Sequence, residues 1–308
     1  MKGLELARSY YETYGWAMIH ERFGAYENRI TVGLAGEGSE CFGFDDEYST
    51  DHDFGPAFCM WADPEVIKEI GMSLQEAYES LPKQHCGVAV RRDTRMTGHR
   101  TGVWESGDFY RRFLGMPDGP EDLMDWLRLP DSYLAVAANG AMFVDGEGRF
   151  LAIRKKLLAG YPEDVRIKKM VARAAVMSQA GQYNFPRCLN RGEAVAASLA
   201  LSEFINHGMS MIYLLNRSYA PFYKWKHRGM ERLKILTETR QMFAQLICER
   251  LTAEEKQAVI EDICRLVSEE WMRQGLISQS DSFLQNSLDE LMSKIQDPRL
   301  RSMHWLQG

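Results

Sequence analysis

The chain has 308 residues, of which 45% are hydrophobic and 26% charged; these ordinary globular values exclude wholesale disorder and leave room for two domains. A net charge of −6 argues against a broadly basic, non-specific nucleic-acid binder and leaves open a local basic pocket. Six scattered cysteines with no CxxC pair read as reduced thiols of a cytoplasmic protein, and no apolar run reaches the length of a membrane span.

Residues 3–23 carry Leu6, Ala7, Tyr10, Tyr11, Tyr14 and Met18 at spacings of three and four, which predicts an amphipathic helix stopping at Gly24. A short apolar strand over 30–34 runs into Gly33, Gly36 and Gly38, with Ser39 as cap of a helical turn over 40–42. An acidic turn at 43–50 leads to a strand expected over 51–61. A helix over 64–80 follows, with Asp63 as N-cap, Pro64 at its first position and Ile67, Ile70, Leu74 and Ala77 as its apolar stripe.

Strands are expected at 87–90 and 101–105, separated by a basic loop over 91–100. Helices at 107–114 (Asp108 as cap), 121–127 and 130–139 precede a strand at 141–144 and the turn Asp145-Gly146-Glu147-Gly148. Beyond Phe150 the strand signal fades. Helices are expected over 153–159, 162–179, 191–217, 223–234, 237–249, 253–273 and 281–295, with Thr252 and Glu255 forming a capping box. The apolar 194–205 stretch reads as a buried central helix. The expected fold is α+β: a small mixed β-sheet domain over 1–147, then an all-α helical domain over 148–308.

The most informative stretch is GLAGEGSECFGFDDEYSTDHDFGPAFCMW at 33–61. Gly36 and Gly38 let backbone approach an anion without a Cβ, and the amides around Ser39 can donate to phosphate. On a strand, Asp51 and Asp53 share a face while His52 points away. Two adjacent carboxylates repel unless a cation lies between them, and a divalent metal with an NTP supplies it. The plain alternative is a solvated acidic turn with an Asp before a strand.

Here GEGSECFGFDDEYSTDHDFG resembles the signature of the DNA-polymerase-beta-type nucleotidyltransferase superfamily: an apolar strand, Gly-Ser, then Asp-x-Asp on the next strand. Within that superfamily the chain is most similar to a bacterial branch related to aminoglycoside and lincosamide nucleotidyltransferases, with weaker similarity at QYNFPRCLNRGE and LLNRSYAPFYKW. The resemblance implies NTP (expected to be ATP) and Mg²⁺ binding, a two-metal site, and transfer of a nucleoside monophosphate to a hydroxyl. Gly38 and Ser39 would take the phosphate role; Asp51 and Asp53 would take the metal and catalytic role.

The superfamily pattern also implies a third acid on a later strand. Glu105 is the first choice and Asp145 the second, with Asp93 and Asp108 behind them. Triphosphate needs further cations, and Arg191 and Lys224 of the helical half are chosen over Arg187 and Arg217. Arg154-Lys155-Lys156 and Lys168-Lys169 read as solvated helix faces, and 91–100 as a surface loop that could fold over phosphate. The expected acceptor is a small molecule; a membrane partner is not expected, nucleic acid is disfavoured and a protein acceptor stays open. A non-catalytic nucleotide sensor on the same fold is the alternative.

Overall fold

The computed structural model describes residues 1–50, 54–91 and 98–308. The fold is α+β, with a small mixed sheet in the N-terminal part followed by helices. By its internal contacts the chain divides into two compact units: Met1–Glu121 with Tyr133–Ala159, and Asp122–Ser132 with Gly160–Gly308.

The first unit opens with α1 (Gly3–Tyr10) and α2 (Trp16–Phe23), joined by the π-helical turn Tyr11–Gly15 into the continuous helix the periodicity predicts. Gly24 ends that helix and opens a 3-10 turn, Gly24–Arg29. Then come β1 (Thr31–Leu34), β2 (Cys59–Ala62) and α3 (Pro64–Glu79). The apolar stripe of the first helices, through Tyr10, Tyr11, Met18 and Ile19, is buried with Phe58, Met60, Val66 and Leu74 in one core.

A hairpin of β3 (Gln84–His85) and β4 (Val88–Ala89) precedes β5 (Gly102–Glu105) and α4 (Ser106–Leu114). After α5 (Leu123–Arg128) and α6 (Asp131–Ala138), β6 (Ala141–Val144) completes a four-stranded sheet of order β5-β2-β1-β6. The β1 strand is antiparallel to β2 and β6, and β2 is parallel to β5, the crossover that α3 makes possible. Trp61 stacks on Phe150 of α7 (Arg149–Leu158) at 4.1 Å between centroids and meets Phe109 of α4 edge-on at 5.4 Å.

Two local expectations change here. The described strand begins only at Cys59, because Gly55-Pro56 precedes it and proline has no N–H for a ladder bond. The cap of α4 is Glu105, not Asp108: its carboxylate accepts from Gly107 N at 2.7 Å and Asp108 N at 3.1 Å. Asp108 instead pairs with Arg111 one turn on.

In the second unit α8 (Glu163–Met177) passes through the π-helical turn Ser178–Asn184 into α9 (Phe185–Asn190). There follow α10 (Ala194–Leu215), α11 (Tyr223–Gly229), α12 (Thr239–Ile247), α13 (Ala253–Arg273), α14 (Leu288–Ser293) and α15 (Pro298–Arg301). Thr252 and Glu255 form the expected capping box on α13. The expected helix over 281–295 shrinks to a 3-10 turn, Leu284–Ser287, and α14.

Burial corrects three readings. The stretch 194–205 is not buried all round, since Val195 is 76% and Leu199 65% exposed; the continuously buried part of α10 is its C-terminal end, from Ser210 to Leu215. Lys168 and Lys169 are not a solvated face: Lys168 donates to the carbonyls of His304 and Trp305, and Lys169 to that of Leu129. Arg154 is buried too, donating to the carbonyls of Asn139 (2.7 Å) and Gly140 (3.3 Å). A basic residue inside a protein needs such acceptors, and sequence spacing does not reveal them. No disulfide joins the cysteines, and among the described residues no helix is long and apolar enough to cross a membrane.

Candidate functional site

The register of β1 and β2 sets the geometry. Gly33 pairs with Cys59 and Thr31 with Trp61, so the C-terminal end of β1 and the N-terminal end of β2 lie together. β1 ends at Leu34 and β2 begins at Cys59, so the chain leaves and rejoins the sheet at that one end, and Gly36 and Gly38 follow β1 there. Asp51, His52 and Asp53 themselves lie outside the described residues.

The glycine loop is held in a shape that only glycine adopts freely. Gly36 and Gly38 have φ of +111° and +125°. A Cβ on Gly38 would stand 2.5 and 2.6 Å from the carboxylate oxygens of Glu40. Ser39 takes the N-cap position of the 3-10 turn Glu40–Phe42 as expected, but its side chain makes no capping bond. Its carbonyl accepts from Phe42 N at 3.2 Å and Phe44 N at 2.8 Å.

Groups far away in sequence brace this loop. Asn139 Nδ2 donates to the Gly36 carbonyl and Asn139 Oδ1 accepts from Gly36 N, each at 2.8 Å. Glu40, buried, forms an ion pair with buried Arg91, where the carboxylate outweighs the cost of burying the guanidinium. Arg112 pairs with Glu37 at 2.6 Å, and Arg100 donates to the Glu37 carbonyl. Three arginines thus meet two glutamates around the turn. Cys41, beneath it, is no nucleophile: burial and the adjacent Glu40 push its thiol well up, which keeps it protonated.

Both candidates for the third acid fall at the other end of the sheet. β5 runs parallel to β2 with Gly102 opposite Cys59 and Glu105 opposite Ala62, so Glu105 is at the end remote from the glycine loop. There it caps α4 and faces Arg149 at 3.5 Å. β6 starts beside Leu34 at Ala141 and reaches Val144 opposite Val32, so Asp145 follows it off the same remote end. No carboxylate of β5 or β6 lies at the loop end. Asp93 lies outside the described residues.

The two cations chosen in the helical half belong to the second unit. Arg191 is exposed at the C-cap of α9. Lys224 is exposed on α11, with Nζ 4.4 Å from the centroid of the Trp225 ring. Arg187 lies similarly over Tyr183 at 4.5 Å, and Arg217 pairs with Glu163 at 2.8 Å. Among the described residues no group of three or more His, Cys, Asp or Glu could hold a metal ion.

Residues 126–226 match one family model, a domain of unknown function (DUF4037). The match spans less than half of the chain and includes both Arg191 and Lys224. Among solved structures, the chain is similar to a nucleotidyltransferase-like protein from Exiguobacterium sibiricum 255-15, at 12% identity over 94% of this chain and 81% of that one. The TM-score is 0.38, a superposition too loose to transfer fold or chemistry. No curated protein matches the chain.

Sequence reasoning passed over Glu37, Glu40, Arg112 and Asn139, which shape the loop. The available signal was the acidic pair flanking Gly38 together with the basic run at 91–100, two complementary patches in one domain.

Proposed function

We propose that this chain is a metal-dependent nucleotidyltransferase that moves a nucleoside monophosphate, AMP from ATP, to a hydroxyl of a small-molecule acceptor and releases pyrophosphate. The observation that supports it is the loop after β1, where positive-φ Gly36 and Gly38 sit amid Arg91, Arg100 and Arg112 at the sheet end where β2 begins. Backbone at such a turn can approach phosphate closely, and the arginines offset the charge of the two glutamates beside it. Mg²⁺ is assigned to Asp51 and Asp53; when bound it would neutralise charge building on the transferred phosphoryl group. Ser39 is assigned to the phosphates beside Gly38.

The remote position of Glu105 and Asp145 favours a second reading, a nucleotide-binding or sensing protein without turnover. The two readings part in one experiment. ATP with Mg²⁺ raises the melting temperature under both, because a ligand that binds only the native state stabilises it. Pyrophosphate release across a panel of hydroxyl acceptors, lost in Asp53→Asn, establishes the enzyme; stabilisation with no release for any acceptor establishes the binder. No stabilisation by any nucleotide rejects both.

A further inference from the structure

A concave site lies wholly within the helical unit. It is a cavity of about 290 Å³ between the start of α6, the middle of α8 and α10, and the start of α11. That is at the lower edge of the volumes that take drug-sized ligands, so it suits a compact polar group with a small organic part.

Its charge is unbalanced. Asp131 lines it, and this carboxylate already serves Lys169 at 3.1 Å, Arg173 at 3.6 Å and the Tyr161 hydroxyl at 2.7 Å. Arg173 and Lys226 line the same cavity. Two cations therefore pair with one nearly buried carboxylate, and Lys226 has only its longer-range attraction. Arg173 also donates to the Gly308 carbonyl oxygen at 2.8 Å, and the other nearby acid, Glu203, is 61% exposed and engaged with His207 at 3.2 Å. Burial pushes the ammonium of Lys226 toward neutrality, Asp131 opposes that, and Arg173 adds to it.

The neutral groups complement these cations. Lys226 Nζ donates to Asn206 Oδ1 at 2.6 Å and to Ser210 Oγ at 3.0 Å. With its oxygen so occupied, Asn206 presents its NH₂ as donor. His207 supplies the opposite polarity. Burial, Arg173 and Lys226 hold its imidazole neutral against Glu203. Nε2 must then carry the proton that binds Glu203, which leaves Nδ1 as an acceptor, and Nδ1 is buried with no partner among the described residues. At the mouth, Phe222 and Tyr223 stand with ring centroids 4.5 Å apart, 47% and 73% exposed.

We propose that this cavity binds the phosphate of a small phosphate monoester, with Arg173, Lys226 and Asn206 holding the anionic oxygens, His207 accepting the P–OH, and Phe222 and Tyr223 covering the organic part. A monoester is the anion that fits both polarities. Its second pKa is near 6, so close to neutrality it offers charged acceptor oxygens together with an exchangeable P–OH. A carboxylate or sulfate at that pH has no O–H for Nδ1. This site stands independently of nucleotidyl transfer, since it uses neither the glycine loop nor Asp51 and Asp53.

The test is calorimetry on the full chain in EDTA, which silences a metal-dependent triphosphate site, with ribose 5-phosphate, AMP and ribose 5-sulfate as probes. One or both phosphates should bind while the sulfate does not; the tighter phosphate tells a sugar phosphate from a nucleotide as the source. Binding of neither phosphate, or of the sulfate equally well, overturns the proposal. Lys226→Met should weaken the phosphate at least fivefold, and a smaller loss overturns it. Asn206→Asp guards against a folding artefact. Its carboxylate would take the phosphate's place beside Lys226, so binding should fall at least fivefold while the melting temperature holds or rises. A lower melting temperature, or retained binding, would show that the cavity is not short of negative charge.

Discussion

Asn139 clasps Gly36 through both ends of its side-chain amide, receiving one 2.8 Å hydrogen bond and giving another. The partners are 103 residues apart, one at the mouth of the glycine loop and the other just before β6. Asn139→Leu would leave the N–H and C=O of a part-buried glycine unmatched, at roughly 2 kcal/mol of stability. Chemical denaturation should show that loss, and the stabilisation by ATP and Mg²⁺ should shrink with it. A variant as stable as the parent, with its full nucleotide response, would mean the clasp does not shape the loop.

Gly38→Ala tests the loop from inside. The new Cβ would collide with the Glu40 carboxylate at a φ of +125°. Strain of this kind costs about 1–3 kcal/mol, and disturbing Glu40 also disturbs its buried pair with Arg91. Gly192→Ala is the natural control: its φ is +75°, but nothing lies within 4 Å of a Cβ there, so the cost should stay near 1 kcal/mol. Thermal melts with and without nucleotide should separate the two, with the nucleotide shift abolished only in Gly38→Ala.

Glu105 and Asp51 are expected to diverge. Glu105→Ala removes the cap of α4 and a partner of Arg149, so it should cost about 1 kcal/mol while leaving pyrophosphate release unchanged. Asp51→Asn and Asp53→Asn should abolish release while leaving the melting curve of the free protein close to the parent's. If Glu105→Gln, which keeps the carbonyl oxygen of the cap, also abolishes turnover, then Glu105 does chemistry from the remote end of the sheet.

Asp131 gives the helical unit an acid-sensitive point. Burial pushes its carboxyl up, but Lys169, Arg173 and the Tyr161 hydroxyl outweigh burial and bring it from 3.8 to about 2. A depressed carboxyl contributes stability that is present above its unfolded value and lost as pH falls through the folded one. The window is therefore about pH 4 down to 2, and the loss no more than about 2 kcal/mol. Lys169 moves downward as well, because burial outweighs its pairing with Asp131, so the pair adds little net stability at neutral pH. Breaking it is another matter: Asp131→Ala leaves buried Lys169 without a counter-charge, on the Leu129 carbonyl alone, and should cost about 3–5 kcal/mol. Acid titration of the parent and denaturation of the variant check the two halves separately.

Much of the fold can be read along the chain because it is local. The stripe of Tyr10, Tyr11 and Met18 forms its helix, Thr252 and Glu255 cap theirs, and the run before Gly36 forms β1. Residues three or four apart share a helix face whatever else the chain does, so periodicity is a sufficient signal. The glycine loop is legible for the same reason, as positive φ is a property of individual residues.

Register and burial were not legible. Glu105 ends a strand as its sequence predicts, yet only the parallel pairing of β5 with β2 decides that this end points away from Gly38. Lys168, Lys169 and Arg154 have the spacing of a solvated face, yet they are interior because distant backbone offers them carbonyls. Lys224 and Lys226 are two residues apart, and only the fold puts Lys226 rather than Lys224 against Asn206 and Ser210. The sequence by itself determined which helices and strands form, and which loop can approach an anion, because those depend on neighbours within a turn. The tertiary structure decided which charges meet, because an ion's cost or gain depends on its solvation and on partners brought from far along the chain.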